Sequence, residues 1–249
     1  MNFKTNMTTS TLLAAGFSLL AGSAAAQTCV ANNCAALGFT KSASNCEGDI
    51  IRCPFDTSKV FCKEKEVYVM EAGDILYSDG TISDSVIASK TPVGIVAYVN
   101  GSNGFAVALT ESNQTWGGYG YDVSCIGDMD SGAASTDMNG RANTQCLVSD
   151  SQTHPAANYC NTFSAVSSGK GSSGWYLPAA GELRVMISNY DAINLGLHKL
   201  FKTQISSSYY WSSSEYGKYH TCYVRLSDGY MGYYGSKTDS NHVRCVIAF

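Results

Sequence analysis

The sequence predicts an α+β protein with a small disulfide-rich module in front of it. Three observations lead there. Helix-like runs at 154–169 and 178–200 precede several short strand-like runs, the order expected when helices and antiparallel strands segregate. Hydrophobic residues make up 45% of the 249 and charged residues 14%, enough apolar surface for a core. All ten cysteines lie beyond residue 28, and five of them crowd into 29–62.

The N-terminus sets the compartment. Lys4 gives a weakly basic start, Leu12 to Leu20 is a short apolar run, and Ala24-Ala25-Ala26 offers small residues for cleavage. This is the pattern of a secretory signal over 1–26, cut after Ala26. The run is too short to span a bilayer, and no later segment is long enough. No lipid-attachable cysteine follows Ala26 directly, so the protein is expected to be secreted, periplasmic or held at the cell surface by a partner. Export and an even cysteine count point to disulfides. No CxxC pair occurs and the four histidines show no ligand spacing, which weakens zinc. A net charge of -4 removes the electrostatic case for nucleic acid or an anionic membrane.

The module spans 27–63. Five cysteines in so short a stretch mean that disulfides, not an apolar core, carry it. The count is odd here and odd in the remainder, so one bridge between the two parts is the simple solution. Lys63-Glu64-Lys65-Glu66 is a solvated junction, and the main domain covers 64–249. "VYVMEAGDILYSDGTISD" reads as strand, turn, strand, split at Asp79-Gly80. Val93 to Val99 and Phe105 to Leu109 flank the turn residues Asn100 to Gly104 as an antiparallel hairpin.

Trp116 to Thr144 reads as a polar, Gly-rich loop. Cys125 and Cys146 lie near its ends, and a disulfide between them closes it. Asp128, Asp130, Asp137 and Asn139 offer hard oxygen ligands, but their spacing is not that of a calcium loop. "HPAANYCNTFSAVSSG" reads as a helix with Pro155 in its first turn and Gly169 near its end. "PAAGELRVMISNYDAINLGLHKL" reads as a second helical stretch opened by Pro178, with Leu183, Met186 and Ile187 as its buried stripe. Glu182 fits a first-turn capping and dipole role there. "YYWSS", "TCYVRLSD", "MGYYG" and "VRCVIAF" read as strands.

"GWYLPAAGEL" (174–183), "YWSSSEY" (210–216) and "VRCVIAF" (243–249) follow one another in order. With "TDMNGRANTQ" (136–145), they resemble the lectin-like domain at the C-terminus of the Legionella collagen-like adhesin. The resemblance covers about 91 to 249, more weakly from 67. It implies the C-type lectin fold, shared with formylglycine-generating enzymes and the variable proteins of diversity-generating retroelements. It also implies a Cys160–Cys245 bridge between the first helix and the last strand. Trp175, Leu177, Trp211, Val243 and Val246 then belong to the core. The Glu-Pro-Asn, Gln-Pro-Asp and Trp-Asn-Asp tripeptides of sugar-binding members are absent. Calcium therefore has no motif behind it, and no cofactor is expected.

Between Trp211 and the closing strand, the side chains suited to contact are Tyr216, Lys218, Tyr219, His220, Tyr223, Arg225, Ser227, Tyr230, Tyr233, Tyr234, Ser236, Asp239, Asn241 and His242. Strand alternation sets Tyr223, Arg225 and Ser227 on one face and Cys222, Val224 and Leu226 on the other. Tyrosines among Ser, Gly and Asn form a paratope-like palette. The resemblance to retroelement variable proteins adds that Asn, Tyr, Ser, Asp, His, Gly, Cys and Arg are all reachable by scrambling adenines in codons such as AAC. Those types dominate 217–242, and Cys222 is itself such a position.

The expected function is that of an exported, non-catalytic, receptor- or adhesin-like protein that engages an extracellular protein or glycan through this surface. The cysteine-rich module is expected to dock a surface-anchoring partner. The alternatives are a structural subunit of a surface or pilus assembly, and an enzyme of the formylglycine-generating type, which needs paired reduced thiolates.

Overall fold

The computed structural model describes residues 34, 35, 37–63 and 68–249. The signal expected over 1–26, Cys29 and residues 64–67 lie outside the described residues. The chain divides into two units, 1–67 and 68–249.

The first unit is a three-stranded sheet of β1 (Lys41–Ser42), β2 (Asp49–Arg52) and β3 (Lys59–Lys63), ordered β1-β3-β2. Among its described hydrophobic residues, only Cys34, Cys53 and Val60 are buried, while Ile50, Ile51, Phe55 and Phe61 are exposed. Cys34–Cys53 and Cys46–Cys62 staple the sheet in place of a core. The odd cysteine counts predict a bridge between the units. Cys222, the one left over in the second unit, is instead free and buried.

The second unit opens with β4 (Ile75–Tyr77) and β5 (Ile82–Ser83), antiparallel around Asp79-Gly80, where Gly80 has φ +85°. The hairpin of β6 (Pro92–Asn100) and β7 (Asn103–Ala108) follows, closed by Gly101 in the left-handed region at φ +64°. Next come β8 (Ser112–Thr115), α1 (Ser131–Thr136), α2 (Gly140–Ser149), α3 (Pro155–Thr162), β9 (Trp175–Tyr176), α4 (Ala180–Ile187) and α5 (Tyr190–Lys199). The chain then enters β10 (Tyr209–Gly217), β11 (His220–Arg225), β12 (Tyr230–Ser236), β13 (Ser240–Val243) and β14 (Val246–Ala248). One sheet is ordered β5-β4-β6-β7-β14-β9, the other β12-β11-β10-β13-β8. The class is α+β, with more sheet than helix.

A small apolar cluster and two large ones fill this unit. One joins Ile75, Ile95 and Val107 to Leu183, Met186, Leu197, Val224 and Leu226. The other gathers Trp116, Trp175, Leu177, Trp211, Val243 and the Cys160–Cys245 disulfide, which ties α3 to the segment between β13 and β14. Cys125–Cys146 is also closed.

Four expectations need correction. The polar stretch 116–144 holds α1 and the start of α2. Helix α2 lacks an apolar stripe because its inward Asn143 and Thr144 are hydrogen-bonded instead: Thr144 Oγ1 donates to Gly140 O (2.8 Å) and accepts from Leu177 N (2.9 Å). The helix expected over 154–169 ends at Thr162. Phe163 turns extended and packs edge-on against Trp175 at 5.1 Å, and Gly169 (φ +83°) sits in a later turn. The stretch 178–200 is two helices. They part at Ser188-Asn189, short polar residues that compete for backbone hydrogen bonds, and Asn189 Nδ2 donates to Ala97 O (3.0 Å). "VRCVIAF" splits at Arg244-Cys245. Buried Arg244 donates to Ala108 O (3.1 Å) and Thr203 O (2.7 Å), and the chain crosses from one sheet to the other.

Candidate functional site

The platform beneath the predicted surface is β10. Its run Ser212-Ser213-Ser214-Glu215 looks like surface sequence but is fully buried. Each buried side-chain polar group there has a partner, as burial demands. Ser212 Oγ donates to Cys222 O (2.8 Å), and Trp116 Nε1 donates to Ser212 O (2.8 Å). Ser213 N donates to Pro178 O (2.8 Å). Ser214 Oγ donates to Asp137 Oδ2 (2.6 Å) and accepts from Ala180 N (2.9 Å). Asp137 also accepts from Asn143 Nδ2 (2.8 Å), so its carboxylate, at the end of α1, ties α2 to Ser214 of β10, and the Ser214 hydroxyl in turn holds the start of α4. Glu215 pairs with buried Lys237, and its other oxygen accepts from Val123 N (2.8 Å). Burial pushes the Glu215 carboxyl up, while the Lys237 hydrogen bond and charge hold it down.

Strand β11 pairs with β10 on one side and β12 on the other. Cys222, Val224 and Leu226 are buried, while Tyr223 and Arg225 are half-buried and Ser227 is exposed. Tyr223 lies against β12, and glycines make room for it. A Cβ at Gly232 would meet Tyr223 Cζ at 2.1 Å, and one at Gly235 would meet Trp211 Cζ3 at 2.6 Å. Tyr223 stands 4.9 Å from Tyr209 and 6.3 Å from Tyr230, ring to ring. The Arg225 guanidinium sits 5.5 Å from both the Tyr209 and Tyr230 rings. It is also bidentate on Asp228, at 2.8 and 2.5 Å. That pairing holds the Asp228 carboxyl down to about 2. Arg225 is thus closed into the surface rather than held out from it.

A second aromatic group occupies the β10–β11 turn and the far half of β12. The Tyr216 and Tyr234 hydroxyls are 3.1 Å apart, and His220 lies 5.8 Å from Tyr234. Tyr216 and Tyr233 also pack on Ala134, Ala180 and Cys222, so they are partly structural. Burial pushes the Cys222 thiol up to about 12. Tyr219 and Lys218 are exposed, with Lys218 Nζ 5.0 Å over the Tyr219 ring. Ser236 and Asp239 sit in the β12–β13 turn, where Asp239 N donates to Ser236 O (2.9 Å).

Asn241 and His242 stand apart, on β13 opposite Gln114 and Asn113 of β8. His242 Nδ1 is 3.1 Å from Glu111 Oε1. Glu111 also takes the Tyr210 hydroxyl (3.0 Å) and faces Arg244 Nε (3.3 Å). His242 therefore belongs to a different polar cluster from the tyrosines.

Tyr209, Tyr119 and Tyr121 are aromatic contributors that sequence reasoning did not single out. Tyr119 stacks 5.1 Å from Tyr219, out of a loop a hundred residues earlier in the chain. The Tyr-Gly alternation at 117–121 is the signal that could have found it. The oxygen ligands noted in that region are largely engaged: Asp130 Oδ1 caps α1 at Ala133 N (2.8 Å), and Asp137 is buried. Among the described residues no three His, Cys, Asp or Glu side chains form a metal-holding group.

A cleft of about 570 Å³ lies elsewhere, lined by Tyr98, Phe105, Met138, Arg141, Tyr176 and Glu182 among others. Glu182 accepts from Ala179 N (2.8 Å) at the start of α4 and from the Tyr176 hydroxyl (3.0 Å). Its burial pushes the carboxyl up to about 7. Glu182 and Glu215 are held by separate sets of partners.

A family model described as the Lcl C-terminal domain matches residues 120–247. Among solved structures, the chain is similar to the crystal structure of a fimbrial protein from Bacteroides ovatus ATCC 8483, with a TM-score of 0.61 and 19% identity over 72% of this chain. The chain spans about half the length of that protein (49%), and the likeness is one of fold. No curated protein matches the sequence.

Proposed function

The chain belongs to the Lcl C-terminal domain family, and from that premise we propose that it is an exported, non-catalytic binding protein of the bacterial surface. It engages an extracellular protein or glycan through the tyrosine-rich face of β10–β12. One observation carries this reading. The most exposed large side chains of that sheet, Tyr230 at 49% and Tyr234 at 70%, stand on β12, which is joined through β11 to β10 and its hydrogen-bonded polar core. Rigid, exposed tyrosines of this kind give contact area at low entropic cost. The C-type lectin-like fold is part of the proposal, supported by Cys160–Cys245 and by β14 lying between β7 and β9. So are the absence of a cofactor and the diversification of 217–242 by a retroelement. The latter fails if the gene's 3′ end is invariant across a population.

The test is a Tyr230→Ala plus Tyr234→Ala variant, read beside the parent on arrays of extracellular proteins and glycans. We expect ligand loss with an unchanged melting temperature. Equal ligand profiles for parent and variant would defeat the proposal.

A second reading, a subunit of a fimbria-like assembly docked through the cysteine-rich module, draws support from the fimbrial neighbour. It predicts self-association that the tyrosine substitutions leave intact. The formylglycine-generating reading needs two reduced thiolates. In 68–249, four of the five cysteines are in disulfides and Cys222 is a buried thiol.

A further inference from the structure

The segment Gly117–Val123, "GGYGYDV", is neither helix nor strand, yet four hydrogen bonds hold it. Gly117 N donates to Lys237 O (3.0 Å), and Gly120 N donates to Lys218 O (2.7 Å). Lys237 Nζ donates to Tyr121 O (2.7 Å), and Val123 N donates to Glu215 Oε2 (2.8 Å). The last two come from the buried Glu215–Lys237 pair, so that pair fixes this segment as well as itself. Gly117, Gly118 and Gly120 take positive φ values of +90°, +63° and +87°. Close packing adds to this: a Cβ at Gly117 would meet Thr153 O at 2.1 Å, and one at Gly118 would meet His154 Cε1 at 2.5 Å.

Such ordering costs conformational entropy, and the core gains no large side chain from Tyr119 or Tyr121 in return. Both are exposed, at 53% and 56%. Holding exposed aromatic rings still before contact is what preorganisation for binding requires. The ring of Tyr119 continues directly into that of Tyr219, 5.1 Å away.

We propose that Gly117–Val123 is a preformed aromatic arm of the binding face, presenting Tyr119 and Tyr121 beside Tyr219 to a protein partner. This rests on the binding reading above and extends it outside the C-terminal stretch. The chemistry selects a protein rather than a glycan. Sugar hydroxyls are gripped by unspent carboxylates and amides. Here Asp228 is closed on Arg225 and the buried Glu215 on Lys237, and the arm itself carries a single exposed carboxylate, Asp122, beside two exposed tyrosines, so rings and phenol hydroxyls dominate what it offers. An arm lying outside 217–242 also gives the face a part that stays fixed if the rest is diversified.

The experiment pans a random-peptide phage library on the full, oxidised chain. Enriched peptides are then measured by interferometry on the parent, on Tyr119→Ala plus Tyr121→Ala, and on Tyr230→Ala plus Tyr234→Ala. A glycan array is run in parallel. We expect enriched peptides to lose about tenfold or more in affinity on the arm variant, as anchor tyrosines do. Loss on the Tyr230/Tyr234 variant with none on the arm variant overturns the arm and leaves the binding reading standing. Indifference of both variants, or no enriched peptide, overturns both. Glycan binding that needs Tyr119 and Tyr121 overturns the choice of partner. Amide exchange on the parent is an independent check. Gly117, Gly120 and Val123 should be protected like strand amides, and free-loop exchange there refutes a preformed arm.

Discussion

Replacing Lys237 by Met is the sharpest perturbation of the platform. The ammonium is fully buried, pairs with Glu215, donates to Tyr121 O and lies 4.8 Å over the Trp116 ring. Met keeps most of the volume and removes the charge. Glu215 is then a buried carboxylate whose remaining donor is Val123 N–H. Breaking one side of a buried pair costs about 3–5 kcal/mol, a large share of the roughly 5–15 kcal/mol of a typical domain. The loss depends on pH with a definite sign. Without Lys237 the folded-state pKa of Glu215 lies above its unfolded value, about 4.3. Its contribution is intact below that value and is lost as pH rises through the folded pKa. The variant is therefore weakest near pH 8 and recovers toward about pH 5. Adding Glu215→Gln should restore most of the loss and flatten the pH profile. Urea unfolding followed by fluorescence of the buried Trp116 and Trp211 reads both. A loss under about 1 kcal/mol, or one equal at both pH values, refutes the reasoning, since exposed pairs contribute no more than that.

Glu182→Gln should abolish a second slope. Its carboxyl is pushed up to about 7 by burial, so the parent loses stability as pH rises from about 4.3 to that value, on the order of 3 kcal/mol. The variant should lack that fall in urea titrations, because Gln keeps an acceptor for Ala179 N. Gly232→Ala puts a methyl 2.1 Å from Tyr223 Cζ, which should cost about 1–3 kcal/mol and lower the melting temperature. Replacing both Cys160 and Cys245 by Ala opens a closure of 85 residues and should cost about 4 kcal/mol, measured by denaturant unfolding. His154 is buried, and burial holds its imidazole below the usual value. The fold should therefore weaken as pH drops below about 6.5, and a His154→Gln variant should lose that acid sensitivity.

What sequence could reveal follows from which patterns local physics imposes. The β6–β7 hairpin is legible because apolar runs flank a Gly-bearing turn. The inward set Cys222, Val224 and Leu226 is legible from strand alternation. Helix α2 was not, because its buried face is Asn143, Thr144 and Leu147, and hydrogen bonds replace the apolar stripe. The Ser212–Glu215 run misleads for the same reason: its partners Asp137, Pro178, Ala180 and Lys237 are distant in sequence. The candidate face was legible in its tyrosines but not in its extent. Arg225 is spent on Asp228, His242 belongs to the Glu111 cluster, and Tyr119 arrives from another loop.

The crossing at Arg244-Cys245 has a consequence for the order of folding. β13 sits inside one sheet, between β10 and β8, and β14 sits inside the other, between β7 and β9. Neither sheet can finish its hydrogen bonding until residues 240–248 have taken their seats. Contacts such as Val246 with Val107 join points far apart in the chain, and such closures are slow. A chain in which 240–248 have not yet docked thus remains two incomplete sheets, with β10 and β8 unbridged in one and β7 and β9 unbridged in the other. The Cys160–Cys245 bond then seals the closure that those residues make.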